Sequence, residues 1–447
     1  MHELPLTHEC ADGFVRRGTV SAASSDAITV CVPALTPGDI VSIERRDGSA
    51  MFAEVAASDM RGARCTPLGG VDGIEVGATV SCSLARLGAY VGPSLFGRAL
   101  DAWGRRHRED RAVTAHHGDR ACARLIAPLH APRVHLHDRA PIRAPMLTGV
   151  AAIDDFATLG FGQRVALAAG AGVGKTTLLR NIVAHAQADA RVVALVGERG
   201  REAAEACERL RASPSWATTT VYCATSDASP IERFTAARAA TAQAEYLCRT
   251  GRHVLLVIDS LTRAANAWRE MALAAGEPPA QRGYPPSLGG ALARLVERAG
   301  ARRFGSVTAV YTVLVDGDDQ FEPVTDAVRG LLDGHIALSR RFADAGRYPA
   351  IDVLRSLSRA MRDVVNAEHA RDAALVRRAL ATLEEAEDLF AIGAYRAGGD
   401  PWLDACVDVR PAIEQLIFDD GRRPVPGRLA TVAADLRRAV GPMESIA

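Results

Sequence analysis

Lys175 is the only lysine among 447 residues, and the other 52 of the 53 Lys+Arg positions are arginine. It sits in Gly170-Ala171-Gly172-Val173-Gly174-Lys175-Thr176-Thr177. A lysine ammonium is a compact point charge on a slim stem that reaches between phosphates in a tight loop, whereas guanidinium is a planar fork suited to bidentate pairing. A chain that meets every other need for positive charge with arginine therefore marks this position as one where the shape of the cation matters. The glycines let successive backbone N–H groups turn inward on an anion, and a helix opening at Thr176 adds its positive end. The Thr176 hydroxyl is placed to hold Mg²⁺, with Thr177 following as the last member of the loop. The full pattern G-x-x-x-x-G-K-[ST] wants glycine at position 169, where this chain has Ala169; alanine costs little there if the residue keeps negative φ.

A phosphate loop holds a nucleotide but cannot polarise a water, which takes a carboxylate. Two stretches offer one. Arg252-His253-Val254-Leu255-Leu256-Val257-Ile258-Asp259-Ser260 is an apolar run ending in an acid, as when a buried strand presents a carboxylate at its C-terminal edge beside a phosphate loop. Asp259 is the candidate to hold Mg²⁺ through water. The bland reading is a strand that ends in a turn-forming aspartate, and the loop 84 residues upstream weighs against it. Gly197-Glu198-Arg199-Gly200-Arg201-Glu202 follows the apolar stretch Val192 to Val196, so Glu198 is a candidate to polarise the attacking water. On spacing alone the same stretch reads equally as a solvated charge cluster opening an amphipathic helix with Glu202, Glu205 and Glu208.

These residues need elements to hold them. Gln163 to Ala168 reads as a short buried strand and Thr177 to Val183 as a helix, which is the context a phosphate loop requires. Arg191 to Gly197, His253 to Ser260 and Ser306 to Leu314 read as further strands around helical segments such as 228 to 250, a parallel α/β sheet carrying the loop. Before it, residues 12 to about 85 alternate apolar and polar in short runs, such as Ala27 to Val32 and Ile40 to Ile43, between Gly, Pro and Asp turns. That pattern predicts a small antiparallel β-barrel. From about 86 to 147 the chain is rich in Arg, His and Pro, a connecting region wrapped on the larger domain. From about 365 the pattern turns helical, with Val376, Leu380, Leu383 and Phe390 roughly on one face. The expected architecture is an N-terminal β-barrel (1–85), a parallel-sheet P-loop domain with its connecting region (86–365) and a C-terminal helical bundle (366–447).

Composition bounds the partners. A chain of 47.3 kDa with 48% apolar and 24% charged residues suits a soluble globular protein of two or three domains. Zero net charge and a pI of about 7.2 disfavour non-specific nucleic-acid binding. The nine cysteines are scattered and contain no C-x-x-C pair, so neither a disulfide framework nor a zinc site is indicated, and a reducing cytoplasm fits. The start lacks a basic n-region and an apolar h-region, and no apolar run approaches the ~18 residues of a membrane span, so membrane association is expected to be peripheral.

Taken together, the motifs reach a family. The phosphate loop, Gly197-Glu198-Arg199, Val257-Ile258-Asp259-Ser260-Leu261-Thr262-Arg263 and Pro349-Ala350-Ile351-Asp352-Val353-Leu354-Arg355-Ser356-Leu357-Ser358-Arg359 resemble the rotary-type ATPase α/β superfamily. Gly276-Glu277-Pro278-Pro279 with Gly283-Tyr284-Pro285-Pro286, Tyr311 to Asp319, and Leu332-Asp333-Gly334-His335-Ile336 resemble the type III protein-export ATPases. The resemblance runs from about residue 85 to about 418. It implies a RecA-like ATPase core that binds ATP and Mg²⁺, and it accounts for Ala169, because the family uses alanine there. It implies that Glu198 is the catalytic carboxylate, with Arg199 beside the γ-phosphate, that Tyr348 stacks on the adenine, and that Arg359 reaches into the neighbouring subunit's site. Tyr348 reads otherwise as a core aromatic, and Arg263 either supports the phosphate or is a helix-surface arginine. The family works as homohexameric rings at the cytoplasmic face of the bacterial inner membrane, contacting stator, central stalk and export apparatus, stripping chaperones from effectors and unfolding them. Val315, Glu322-Pro323-Val324 and Asp352 to Ser356 lie nearer the virulence-injectisome branch, and Gln320 nearer the flagellar one.

Three other readings share the core. The C-terminal stretch Glu387 to Arg396 resembles the export enzymes more than a proton- or sodium-driven rotary subunit. A non-hydrolysing structural subunit would replace the catalytic glutamate, and Glu198 is present. A hexameric RNA translocase would need stacking aromatics in its N-terminal barrel, where residues 12 to 85 offer only Phe14 and Phe52.

Overall fold

Short alternating strands separated by turns dominate the first ninety residues, and they close on themselves. They are β1 (Leu6–His8), β2 (Arg16–Ala23), β3 (Ile28–Cys31), β4 (Asp39–Glu44), β5 (Ala50–Asp59), β6 (Gly62–Pro67) and β7 (Thr79–Val91). In the computed structural model, which describes residues 4–8, 15–105, 125–130, 133–170, 172–314, 323–418 and 427–440, the order β7-β2-β3-β6-β5-β4 returns to β7, an antiparallel barrel of six strands with β1 outside. Phe14, Ala171, Val315 to Gln320 and Glu322 lie outside the described residues. The inward positions of the alternation, among them Val20, Ile28, Val30, Val41, Ile43 and Val80, fill the barrel.

The connecting region is stitched into both sheets. β8 (Arg98–Leu100) joins the far edge of the large sheet beside the strand at Thr219–Thr225, and β9 (Leu125–Pro128) pairs with the extension of β7. Glu54 of β5 meets His130 Nε2 at 2.8 Å and Arg238 of the long helix below at 3.6 Å, all within the seam between barrel and core. Glu54 and Arg238 are buried, so each charge depends on the other for the solvation it has lost.

The core follows as β10 (Pro145–Met146), α1 (Ala151–Phe156), β11 (Leu159–Gly160), β12 (Arg164–Ala169), α2 (Lys175–His185), β13 (Ala190–Glu198), α3 (Gly200–Arg211), β14 (Thr219–Thr225), α4 (Pro230–Arg249), β15 (His253–Asp259), α5 (Leu261–Ala274), α6 (Leu288–Val296), β16 (Gly300–Ala301), β17 (Ser306–Leu314), α7 (Pro323–Arg329), β18 (Gly334–Leu338), α8 (Arg340–Asp344) and β19 (Ile351–Ser358). The sheet order is β19-β18-β12-β17-β15-β13-β14-β8. All neighbours along it are parallel except β19, which runs antiparallel to β18 at the edge. Helices cover both faces, which is why the middles of β12, β13, β15 and β17 are largely apolar and do not alternate. Helix α4 is buried nearly all round and starts on a capping box between Ser229 and Glu232.

Behind the core lie α9 (Met361–Val364), α10 (Ala367–Glu385), α11 (Glu387–Ala391), α12 (Pro401–Ile417) and α13 (Arg428–Val440). Helices α10, α12 and α13 pack pairwise as a bundle. Val376 and Leu383 are buried in it, with Leu380 and Phe390 half-buried against the same cluster. Where α1 meets the bundle, burial and the neighbouring Asp154 push the Asp155 carboxyl up to about 7, and Arg428 opposes the shift. A carboxyl held neutral in the fold and ionised when unfolded loses stability as pH rises from about 4 to about 7. Asp155→Asn should therefore melt higher than the parent chain at pH 8, and the gap should narrow steadily toward pH 5 in thermal unfolding.

Candidate functional site at the carboxyl end of the sheet

The polar residues singled out in the sequence converge where β12, β13 and β15 end. Helix α2 begins on Gly174 with no side-chain cap and no acid in its first turn, whereas α4, α5, α10 and α12 are capped by Ser229, Ser260, Asn366 and Asp400. Its leading N–H groups are left to an anion. Gly172 and Gly174 both hold φ near +80 to +90, with Val173 buried between them as the anchor of the loop. Thr176 and Thr177 expose their side chains on the first turn. A Cβ on Gly174 would come within 3.0 Å of the Tyr348 ring, so this aromatic lies directly against the loop, 43% exposed. The loop requires glycine at that position on two counts, its φ and that contact.

Lys175 Nζ lies 2.6 Å from Asp259 Oδ1 and 3.6 Å from Glu198 Oε1. The same Asp259 oxygen accepts from Thr312 Oγ1 at 2.7 Å, and Arg263 stands 2.5 Å from Glu198 Oε2. Two carboxylates, one ammonium and one guanidinium thus form a chain of charges. Thr312 escaped the sequence reading; it is one of several hydroxyl residues of β17, and nothing in the sequence set it apart from Ser306 and Thr308.

Glu198 reaches this group because of a bulge. On β13, Val193 and Leu195 face the α2 and α3 side, while Ala194 and Val196 face the α4 side. Strict alternation would send Glu198 after Val196, away from Lys175. The pairing with β14 shifts between Val196 and Glu198, leaving Gly197 as the extra residue with φ 65. Glu198 is thereby returned to the face that carries Leu195 and Asp259. A Cβ on Gly197 would also meet Arg263 at 3.2 Å, so the bulge and the arginine pack as one unit.

Two predicted residues stand elsewhere. Arg199 stands at the start of α3 with its side chain 80% exposed and pairs with Glu202 at 3.3 Å, so Arg263, not Arg199, is the arginine set beside Glu198. Arg359 follows β19 at the other end of the sheet. Ser358 pairs with Gly334, and His335 pairs with Ala166, which puts Ser358 level with the start of β12, about 13 Å down the sheet from Ala169 at the ~3.3 Å rise of a parallel strand. The Arg359 backbone is held by Asp333, while its exposed side chain has no hydrogen-bond or ion-pair partner among the described residues. Burial holds His335 of β18 below the ordinary imidazole range, and Arg329 and Arg359 push it the same way.

Comparisons with known proteins identify the family. Residues 149–358 match the ATP synthase alpha/beta family, nucleotide-binding domain, and residues 365–427 match the T3SS EscN ATPase C-terminal domain. The type 3 secretion system ATPase of Pseudomonas syringae pv. syringae is 41% identical over 426 residues, 95% of this chain and 94% of that protein. The flagellum-specific ATP synthase of Treponema pallidum is 41% identical over 91% of this chain and 90% of its own length. The assembled ATPase EscN of the enteropathogenic E. coli type III secretion system superposes with a TM-score of 0.85 at 36% identity, covering 95% of this chain and all of that one. A phosphate loop at the head of this sheet, in a chain so similar along nearly its whole length to both groups, belongs to one family: this protein is an ATPase of the type III secretion and flagellar export branch of the ATP synthase alpha/beta family.

Proposed function

We propose that the chain is the ATP-hydrolysing motor of a type III protein secretion system and works as a homohexameric ring in which each site is completed by its neighbour. One observation carries this reading: Lys175, Glu198 and Asp259 gather at one end of the sheet, while Arg359, an exposed arginine without a partner among the described residues, stands at the other end. An arginine so far from its own loop is free to reach a loop in another copy. In the ring, Gly170, Ala171, Gly172, Val173 and Gly174 cradle the phosphates with Lys175, Thr176 and Thr177, and Tyr348 packs on the adenine beside the loop.

The donor set suits Mg²⁺. Thr176 offers a hydroxyl and Asp259 a carboxylate held by Lys175 and Thr312, few protein oxygens that leave room for phosphate and water, as this ion prefers. When bound, the ion neutralises charge on the β- and γ-phosphates. Glu198 accepts a hydrogen bond from the attacking water and orients it, Arg263 holds that carboxylate in place, and the neighbour's Arg359 meets the charge growing on the γ-phosphoryl oxygens. Arg199 joins them only by turning away from Glu202.

The partners of this reading are the stator, a central stalk, and chaperone–effector complexes that the ring separates and unfolds at the cytoplasmic face of the inner membrane. Its support is the solved complex of EscN with its central stalk EscO, 36% identical with a TM-score of 0.83; among the described residues no helix is long and apolar enough to cross a membrane. Flagellar export is the second reading, favoured by the equal identity of the Treponema pallidum protein. The C-terminal match to the EscN family favours secretion. The ring is tested by activity against concentration: the hydrolysis rate should rise more than linearly with protein, whereas a constant specific activity would mean a self-contained site.

A further inference from the structure

Between α2 and α3 a groove of about 190 Å³ runs from Thr176, Glu198 and Asp259 over a floor of Val193, Leu195 and Val257 and out past Ala206, Arg180 and Arg209. That is many times the roughly 10–15 Å³ of such space that one water needs, enough for a small hydrated anion. Its charges are unequal. Each carboxylate on its wall has a cation of its own: Asp259 has Lys175, Glu198 has Arg263, Glu202 has Arg199, and Glu205 has Arg201 and Arg209. Arg180, half-buried on the wall, has no hydrogen-bond or ion-pair partner among the described residues. The wall thus carries four carboxylates and two arginines, and Arg180 is the one of these charges without a counter-ion among the described residues.

Hydrolysis makes two products, and the entrance serves one of them. Water adds to the γ-phosphorus, the bond to the bridging oxygen breaks, and ADP is left in the loop under Tyr348 with orthophosphate behind it. On the reading proposed above, on which this inference rests, the neighbour's Arg359 closes the γ side. We propose that orthophosphate leaves through the groove between α2 and α3, drawn outward by Arg180. The inner end of the groove touches the residues around the γ-phosphate, and its outer end carries the unpaired cation that a departing anion would follow. Helix α3 forms one wall and begins directly after Glu198, so the exit and the catalytic carboxylate share an element.

The test separates phosphate made from phosphate freed, using the full chain at ring-forming concentration. Total phosphate is read by acid quench and free phosphate by a fluorescent phosphate-binding protein. Ala206→Phe narrows the groove and Arg180→Glu replaces its unpaired cation with an anion, and neither residue touches ATP. In both variants total phosphate should show a burst while free phosphate lags, with release slowed about tenfold, equivalent to about 1.36 kcal/mol of barrier. The KM for ATP should hold, and Arg180→Lys should restore release. Free and total phosphate rising together at the parent rate would overturn the proposal, as would slower formation of phosphate without a lag. Should Ala206→Phe fail to fold, Arg180→Glu decides alone. Undiminished hydrolysis by Glu198→Gln would instead sink the underlying site reading, an outcome readable in the same quench experiment.

Discussion

Arg359→Ala should lower ATP turnover by about 10³-fold or more, the range in which an arginine supplied in trans acts in other nucleotide hydrolases, while leaving the melting temperature unchanged. The second half of that expectation follows from the structure: the side chain is exposed and has no hydrogen-bond or ion-pair partner among the described residues. Lys175→Ala should be equally inactive for a different reason, since it removes the cation that answers Asp259 and the phosphates. Mixed in one ring, the two variants create interfaces at which a subunit lacking only Lys175 offers its Arg359 to a subunit whose loop is intact. Those interfaces should hydrolyse ATP, so the mixture should recover activity that neither variant has alone. Recovery that grows with total protein would tie it to assembly. A mixture as inactive as its components, or an Arg359→Ala protein that hydrolyses at the parent rate, would exclude this residue as the trans cation.

Much of this site was legible because its parts are local patterns. A glycine-rich loop between an apolar strand and a helix, or an acid closing the run from Val254 to Ile258, needs no knowledge of the rest of the chain, and both stand where that reading put them. The six-stranded barrel and the C-terminal helices were legible for the same reason, from periods of two and of 3.6 residues. What stayed hidden depends on register. Spacing left Glu198 equally a surface charge, and only the bulge at Gly197 turns it inward. Arg199 and Arg263 are both arginines near strand ends, and which one faces Glu198 is decided by the close packing of Arg263 on Gly197. The antiparallel edge strand β19 went unforeseen because its residues read only as a motif. Its direction is what carries Arg359 to the end of the sheet opposite the loop.

Glu198→Gln is expected to remove the chemistry and spare the binding. The amide keeps the shape of the side chain and can still sit against Arg263, so the group around Lys175 and Asp259 should persist. What it loses is the charge that polarises water, a contribution of roughly 10² to 10⁴ in rate for a positioned base. Nucleotide affinity, read by the fluorescence of a labelled ATP analogue, should stay at the parent value or rise, because a repulsive charge near the γ-phosphate has gone. Lys175→Ala should do the reverse and weaken affinity, which distinguishes a residue that holds phosphate from one that acts on water. Ring assembly should also survive in Glu198→Gln, trapped with ATP bound, and the neighbour's Arg359 should then resist modification by an arginine-selective reagent. Hydrolysis within a few-fold of the parent would move the catalytic role to another carboxylate, and Glu202 on the wall of the same groove would be the next to replace.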